Sequence, residues 1–241
     1  MTEPKVFEAN AESKGTAKQL RLFAFLAWIV AIAGEIFAIL KLLHNETLTW
    51  LIVAIVIILA LSITGSLLWK KANRLDPSSK SDKTKFFIQS QLGAIMGVLS
   101  FLPLVILIFT NKNLDGKTNG IAGAIGIVAL LIAGITGVDF NPPSIEQYTN
   151  QINAQTDSVK QINMGNDLVY WTPEGHKYHL YQDCYTIKGH AGLSQGTIKQ
   201  VWESKGISEL CRVCEKRAMK EHNISPSMLS NPVENAADST K

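Results

Sequence analysis

The residues best suited to chemistry lie in the last third of the chain. All three cysteines, Cys184, Cys211 and Cys214, occur there, and His179 comes five positions before the first of them. Cys211 and Cys214 form a CxxC pair, separated from Cys184 by 26 residues. Three thiolates and one imidazole are a ligand set typical of closed tetrahedral zinc sites. The pattern therefore predicts a structural zinc ion held by these four residues.

Alternatives stay open at this site. His176 or His190 can replace His179 as the fourth ligand, since both lie close to Cys184 in the sequence. A CxxC pair can also be a redox dithiol, or the cysteines can simply be buried. The thioredoxin-like alternation of strands and helices is missing around this pair, which favours the metal.

Short elements of the tail must position the ligands. Residues 170–179 predict two strands around a turn that contains Pro173 and Gly175. Thr197 and Gln200 form a capping box, and Gly206 is placed to end the helix that follows. Fewer than sixty residues lie between 167 and 222. A domain with such a small core needs a further stabilising element, such as a disulfide or a bound metal ion. The sequence thus predicts a small α+β domain stapled by zinc.

Residues 169–218 resemble the small hairpin zinc modules similar to the metal-binding domain of Ada-type DNA-repair proteins. The resemblance lies in the run YWTPEGHKYHLYQDC and in the later CRVC. In that domain four cysteines hold zinc, and one of them accepts a methyl group from damaged DNA phosphates. The resemblance implies that His179, Cys184, Cys211 and Cys214 are the matching positions. A histidine here replaces one of the family's cysteines.

Charge argues against nucleic acid as a partner. Between residues 167 and 221 the chain has eight lysines or arginines and seven acidic residues. That balance does not form the basic surface that a phosphate backbone requires. The whole chain carries a formal net charge of only +3.

Most of the preceding chain is apolar. The sequence is 46% hydrophobic and 18% charged, and four runs are long enough to cross about 30 Å of hydrocarbon as helices. The predicted transmembrane helices are 22–43, 48–69, 86–109 and 121–138. We therefore expect an α-helical integral membrane protein with a small cytosolic zinc domain.

Lysine and arginine counts predict the orientation. Ten of these residues lie before the first run or between the second and third, and three lie on the opposite side. The positive-inside rule then places both termini in the cytoplasm, and we expect the membrane to be a bacterial cell membrane.

Two intramembrane features bear on function. Glu35 is the only acidic residue within the apolar runs, and Ser100, one turn before Pro103, is its nearest polar candidate by depth. Glu35 is interpreted either as an ion or proton site or as a neutral hydrogen-bonding group. The fourth run carries small residues at four-residue spacing, which predicts close helix packing within the chain or a homo-oligomer.

The predicted organisation is a cytosolic segment 1–21, the helical domain 22–140, a linker helix 141–166, the zinc domain 167–222 and a disordered tail 223–241. The linker helix can form a coiled coil, or lie on the zinc domain or the membrane surface. We expect a binding or regulatory protein that presents the zinc module to a cytosolic protein partner. The alternatives are a transporter or channel component that uses Glu35, and a zinc-thiolate methyl acceptor; enzymatic activity is not favoured.

Overall fold

A computed structural model describes residues 6–224 of the chain. The chain divides into two compact units. The helical unit comprises Lys14–Pro143, and the mixed unit combines Met1–Ser13 with Ser144–Lys241. Most of the tail predicted to be disordered, residues 225–241, lies outside the described residues.

The helical unit contains four helical stretches that are long and apolar enough to cross a membrane. They are α1 (Ala11–Lys41), α2 (Leu48–Leu75) after a single 3₁₀ turn (Asn45–Thr47), the pair α3 (Lys83–Leu99) and α4 (Leu102–Thr110), and α5 (Gly116–Gly137). The four helical stretches correspond to the four apolar runs, as the sequence predicts.

Helix α1 begins eleven residues before the predicted boundary at Leu22, at Ala11. Asn10 explains this start, because its side chain accepts a hydrogen bond from the N–H of Ser13 at 2.7 Å and so caps the helix. A hydropathy pattern identifies only the apolar part of a helix that can lie in the hydrocarbon of a bilayer. It does not identify polar turns that continue the helix beyond that part. The same reason extends α2 to Leu75.

The third stretch is two helices rather than one. Helix α3 ends at Leu99, and α4 begins at Leu102 with Pro103 in its first turn. The sequence predicts a kink at Pro103, and the break lies two to three residues earlier. Proline fits the first turn of a helix because its missing N–H has no intrahelical partner there.

Small residues of α5 pack inside the helical unit. A Cβ added to Gly97 would lie 2.8 Å from the carbonyl oxygen of Ala133, and one added to Gly137 would lie 2.5 Å from that of Gly93. The backbones of α3 and α5 therefore approach closely along this stripe. A homo-oligomer through the fourth run stays a prediction.

The mixed unit is built from α6 (Ile145–Ile162), β1 (Leu168–Trp171), β2 (Lys177–Tyr178), β3 (Ser194–Thr197), α7 (Ile198–Lys205), β4 (Glu209–Leu210) and α8 (Arg212–Glu221). Strand β1 pairs antiparallel with β3, and β2 pairs parallel with β4. The predicted hairpin is present as a bridge between Tyr170 and His179. The predicted linker helix is α6, and it belongs to this unit.

Local signals in the tail are confirmed. Thr197 and Gln200 form a complete capping box at the start of α7. Gly206 ends the helix at φ 65°, a left-handed conformation that glycine adopts without a Cβ penalty.

Candidate metal centre

Two of the candidate ligands lie next to each other at the end of the short parallel sheet. Strands β2 and β4 pair Tyr178 with Leu210, so the next residues, His179 and Cys211, emerge at the same edge. The N–H of Cys211 donates to the carbonyl oxygen of Tyr178 at 2.8 Å and continues the pairing. A parallel register therefore brings together ligands that are 32 positions apart in sequence.

The other two ligands come from a turn and from a helix start. The N–H of Cys184 donates to the carbonyl oxygen of Tyr181 at 3.2 Å, which holds the turn that follows β2. Cys211 is the N-cap residue of α8, so Cys214 lies in the first turn of that helix. The free N–H groups and the positive end of the helix dipole there act in favour of a thiolate, against the effect of burial.

The four ligand atoms of His179, Cys184, Cys211 and Cys214 lie within 4.8 Å of one another, and all four residues are buried. The Sγ of Cys214 is 3.7 Å from the Nδ1 of His179. A tetrahedron with Zn–S bonds of about 2.3 Å has S···S edges of about 3.8 Å. The cluster therefore has the size and the donor set to hold a metal ion.

Burial sets the charge state of the cluster's side chains. It raises the pKa of the Cys214 thiol to about 12 and lowers the pKa of the His179 imidazole. Burial is the largest single influence on Cys184 and acts to raise its pKa, but hydrogen bonds from Thr186, Cys214 and Cys211 together hold that pKa below its usual value. A divalent cation would compensate the buried thiolates, which is the common reason that such clusters bind metal.

Thr186 covers one side of the cluster. Its Oγ1 lies 3.2 Å from the Sγ of Cys184, 3.5 Å from the Nδ1 of His179 and 4.0 Å from the Sγ of Cys211. The hydroxyl has one proton to donate, and the Cys184 sulfur is its nearest acceptor. Groups of this kind orient metal ligands and tune the affinity for the ion. Sequence reasoning missed Thr186, and its place two residues after a ligand was the only available signal.

The two other candidate histidines lie outside the cluster. His176 and His190 are both exposed, and neither belongs to the group of ligand atoms. His176 lies in the turn before β2, whereas the bridge to Tyr170 fixes the backbone of His179 in both directions, at 2.7 and 2.8 Å. Among the described histidines, the geometry selects His179 as the fourth ligand atom.

Helix α6 supports the elements that carry the ligands. The Nε1–H of Trp202 donates to the Oε1 of Gln155 at 2.7 Å, and the Nε2 of Gln155 donates to the carbonyl oxygen of Ser208 at 2.7 Å. One buried amide thus joins α6 to α7 and to the segment before β4. The sequence predicts several possible positions for this helix, and these two bonds show that it packs on the mixed unit.

Residues 6–13 form part of the same core, which the sequence did not reveal. Phe7 is 5% exposed, and its ring lies edge-on to that of Tyr148 at a centroid distance of 5.1 Å. The N–H of Phe7 donates to Thr149 Oγ1 at 3.0 Å, and the N–H of Glu8 donates to Glu203 Oε1 at 2.9 Å. The mixed unit is therefore built from both ends of the described chain.

Glu35 and Ser100 are both buried in the helical unit but have different hydrogen-bond partners. The Oε1 of Glu35 accepts from the N–H of Leu104 at 3.1 Å. The Oγ of Ser100 donates to the carbonyl oxygen of Met96 at 2.8 Å. A serine within an apolar helix commonly bonds back to the residue four positions earlier, which is why Ser100 does not serve as the partner expected from its depth.

No family model, curated protein or solved structure matches this chain.

Proposed function

We propose that this chain is a membrane-anchored binding protein whose four helices hold a zinc-stapled module at the cytoplasmic face, where it engages a cytosolic protein. The closed four-ligand cluster carries the proposal. Four protein ligands fill a tetrahedral zinc ion and leave no position for water or substrate, so the metal serves structure rather than catalysis.

The size of the module supports a structural metal. Its strands are two to four residues long, and each of its two sheets has only two strands. Isolated pairs of this length are marginal in water, and small domains are commonly completed by a metal. Zinc is the ion that best fits three thiolates and an imidazole.

Two observations support the membrane anchor. The four apolar helices leave large side chains exposed along their length, among them Phe23, Ile29, Val56, Ile57 and Ile135. Exposed apolar surface on this scale is costly in water and favourable against lipid. Residues 6–13, which include the first residues of α1, pack with the tail that follows α5, and this fits an even number of crossings with both ends on one side.

The orientation in this proposal is tested by expressing the full chain in cells and probing each side of the membrane. Cysteine substitutions at Lys112 and at Lys80 are labelled with a membrane-impermeant maleimide in intact cells. We expect labelling of Lys112→Cys from outside and labelling of Lys80→Cys only after lysis. Labelling of Lys80→Cys in sealed cells would overturn the orientation.

A transporter or channel component that uses Glu35 is the second candidate. The observation that favours it is the break between α3 and α4 beside a buried carboxyl, because transporters often bind ions where a membrane helix is interrupted. The bond to Leu104 gives this carboxyl a structural role instead. The methyl-acceptor alternative is weaker, because hydrogen bonds to the Cys184 sulfur reduce its nucleophilicity.

A further inference from the structure

A groove of 560 Å³ opens among α1, α2 and α3, at the end of the helical unit where residues 76–82 connect α2 to α3. One part of its lining is polar and includes Arg21, Asp82 and Lys85. The other part is apolar and consists largely of Phe25, Trp69, Ile88 and Leu92. The groove is thus charged at one end and apolar at the other.

The change from a charged to an apolar lining occurs where the apolar runs of the sequence begin or end. The first run begins directly after Arg21, the second ends at Trp69, and the third begins directly after Lys85. In a bilayer these positions mark the boundary between headgroups and hydrocarbon. The groove therefore spans the level at which a phospholipid has its phosphate and the start of its acyl chains.

Hydrogen bonds fix the shape of the groove. The Nε1–H of Trp69 donates to the carbonyl oxygen of Gln89 at 2.8 Å, and the Nε2 of Gln89 donates to that of Asp76 at 2.9 Å. Arg21 is held by the carboxylate of Asp76 at 2.8 Å, and its guanidinium lies 5.7 Å from the Trp69 ring centre. A site held in this way loses little entropy when it binds a ligand.

The charge of the groove and of the adjoining segment favours an anion. Arg21 and Lys85 line the groove beside one acidic residue, Asp82. Residue 21 and residues 70–85 together contain seven lysines or arginines and two aspartates. Both aspartates make bonds within the protein: Asp76 pairs with Arg21, and Asp82 caps α3 by accepting from the N–H of Lys85 at 3.0 Å. Basic sites between helices at a cytoplasmic boundary are suited to anionic headgroups.

We infer that this groove binds one anionic glycerophospholipid, with its phosphate at Arg21 and Lys85 and one acyl chain along Phe25, Ile88 and Leu92. The inference rests on the proposed membrane location. It goes beyond that proposal because it assigns a defined lipid site to one end of the helical unit.

Native mass spectrometry of the full-length protein in detergent tests the site, with phosphatidylglycerol and phosphatidylcholine of equal chain length as probes. We expect the first phosphatidylglycerol to bind more tightly than phosphatidylcholine. Lys85→Gln should weaken it about fivefold, since one lysine near an anionic headgroup contributes roughly that factor. Lys112→Gln, at the opposite end of the unit, should change nothing. Equal affinities for the two lipids, or equal effects of the two variants, would overturn the inference.

A second pair of variants tests the apolar part. Ile88→Trp fills the groove and should remove the tight phosphatidylglycerol site, whereas Ile95→Trp, two turns further along α3 and outside the lining, should keep it. Retention of the site in Ile88→Trp would contradict the proposed position of the acyl chain. Alkaline carbonate extraction of membranes tests membrane insertion separately, so failure of the lipid site and failure of the membrane proposal give different results.

Discussion

The carboxyl of Glu35 on α1 takes the position of an N-cap for α4, because its Oε1 accepts the N–H of Leu104 at 3.1 Å. The first turn of any helix has N–H groups without intrahelical partners, and Pro103 removes one of them. An unsatisfied N–H within hydrocarbon is costly. A side chain from another helix thus satisfies a donor that the break between α3 and α4 leaves open.

This relationship predicts the effects of changes at Glu35. Glu35→Gln retains an oxygen acceptor and should leave the thermal stability of the detergent-solubilised protein nearly unchanged. Glu35→Leu leaves the Leu104 N–H without its acceptor and should lower the free energy of unfolding by about 1–3 kcal/mol.

Ser100→Ala is the matched control, since the Ser100 hydroxyl bonds to its own helix and its loss should cost little. If Glu35→Gln destabilises the protein as much as Glu35→Leu, the cap interpretation fails. Loss of a proton- or ion-dependent function in Glu35→Gln at normal expression would favour the transporter candidate.

Thr186 provides a test at the metal cluster. Thr186→Val keeps the shape of the side chain but removes the hydroxyl, whose Oγ1 lies 3.2 Å from the Cys184 sulfur. We expect a loss of about 10- to 100-fold in zinc affinity, measured by competition with a chelator, as for other groups that support metal ligands. The sulfur-to-metal charge-transfer band of the cobalt-substituted protein should also shift.

Thr186→Ser restores the hydroxyl and should recover both the affinity and the band position. A merely structural role for Thr186 would leave the charge-transfer band of Thr186→Val unchanged, and that result would contradict a hydrogen bond to the thiolate.

Residues 6–13 provide a test of the mixed unit. Phe7→Ala removes a buried ring from its contact with Tyr148. It should lower the free energy of unfolding of the mixed unit by about 1.5–3 kcal/mol. Hydrogen exchange of the full-length protein should therefore speed up at the N–H groups of Phe7 and Glu8. Val6→Ala is the control, because Val6 is 55% exposed. Equal exchange in the two variants would show that these residues contribute no packing.

The sequence was informative wherever the signal is local or repeated. Some features are set by residues that are close in sequence: the four apolar runs, the capping box at Thr197 and the helix end at Gly206. All of them are present in the structure. The four candidate metal ligands could also be selected, because cysteine and histidine are rare and their chemistry is narrow.

Other features could not be predicted, since they depend on partners far apart in the chain. Gln155 is a polar residue in an otherwise apolar helix stripe, and its partners, Trp202 and Ser208, lie 47 and 53 positions away in the chain. Phe7 lies 141 positions from Tyr148, and Glu35 lies 69 positions from Leu104. Spacing along the chain carries no information on such contacts.

Metal content of the purified full-length protein tests the central claim most directly. Elemental analysis should give one zinc per chain, and removal of zinc by a chelator should abolish the near-ultraviolet circular dichroism of the mixed unit, because metal binding and folding are coupled in such modules. Cys211→Ser and His179→Ala should each lose zinc, whereas His176→Ala, at an exposed histidine outside the cluster, should keep it. A metal-free protein with unchanged near-ultraviolet dichroism would contradict the account.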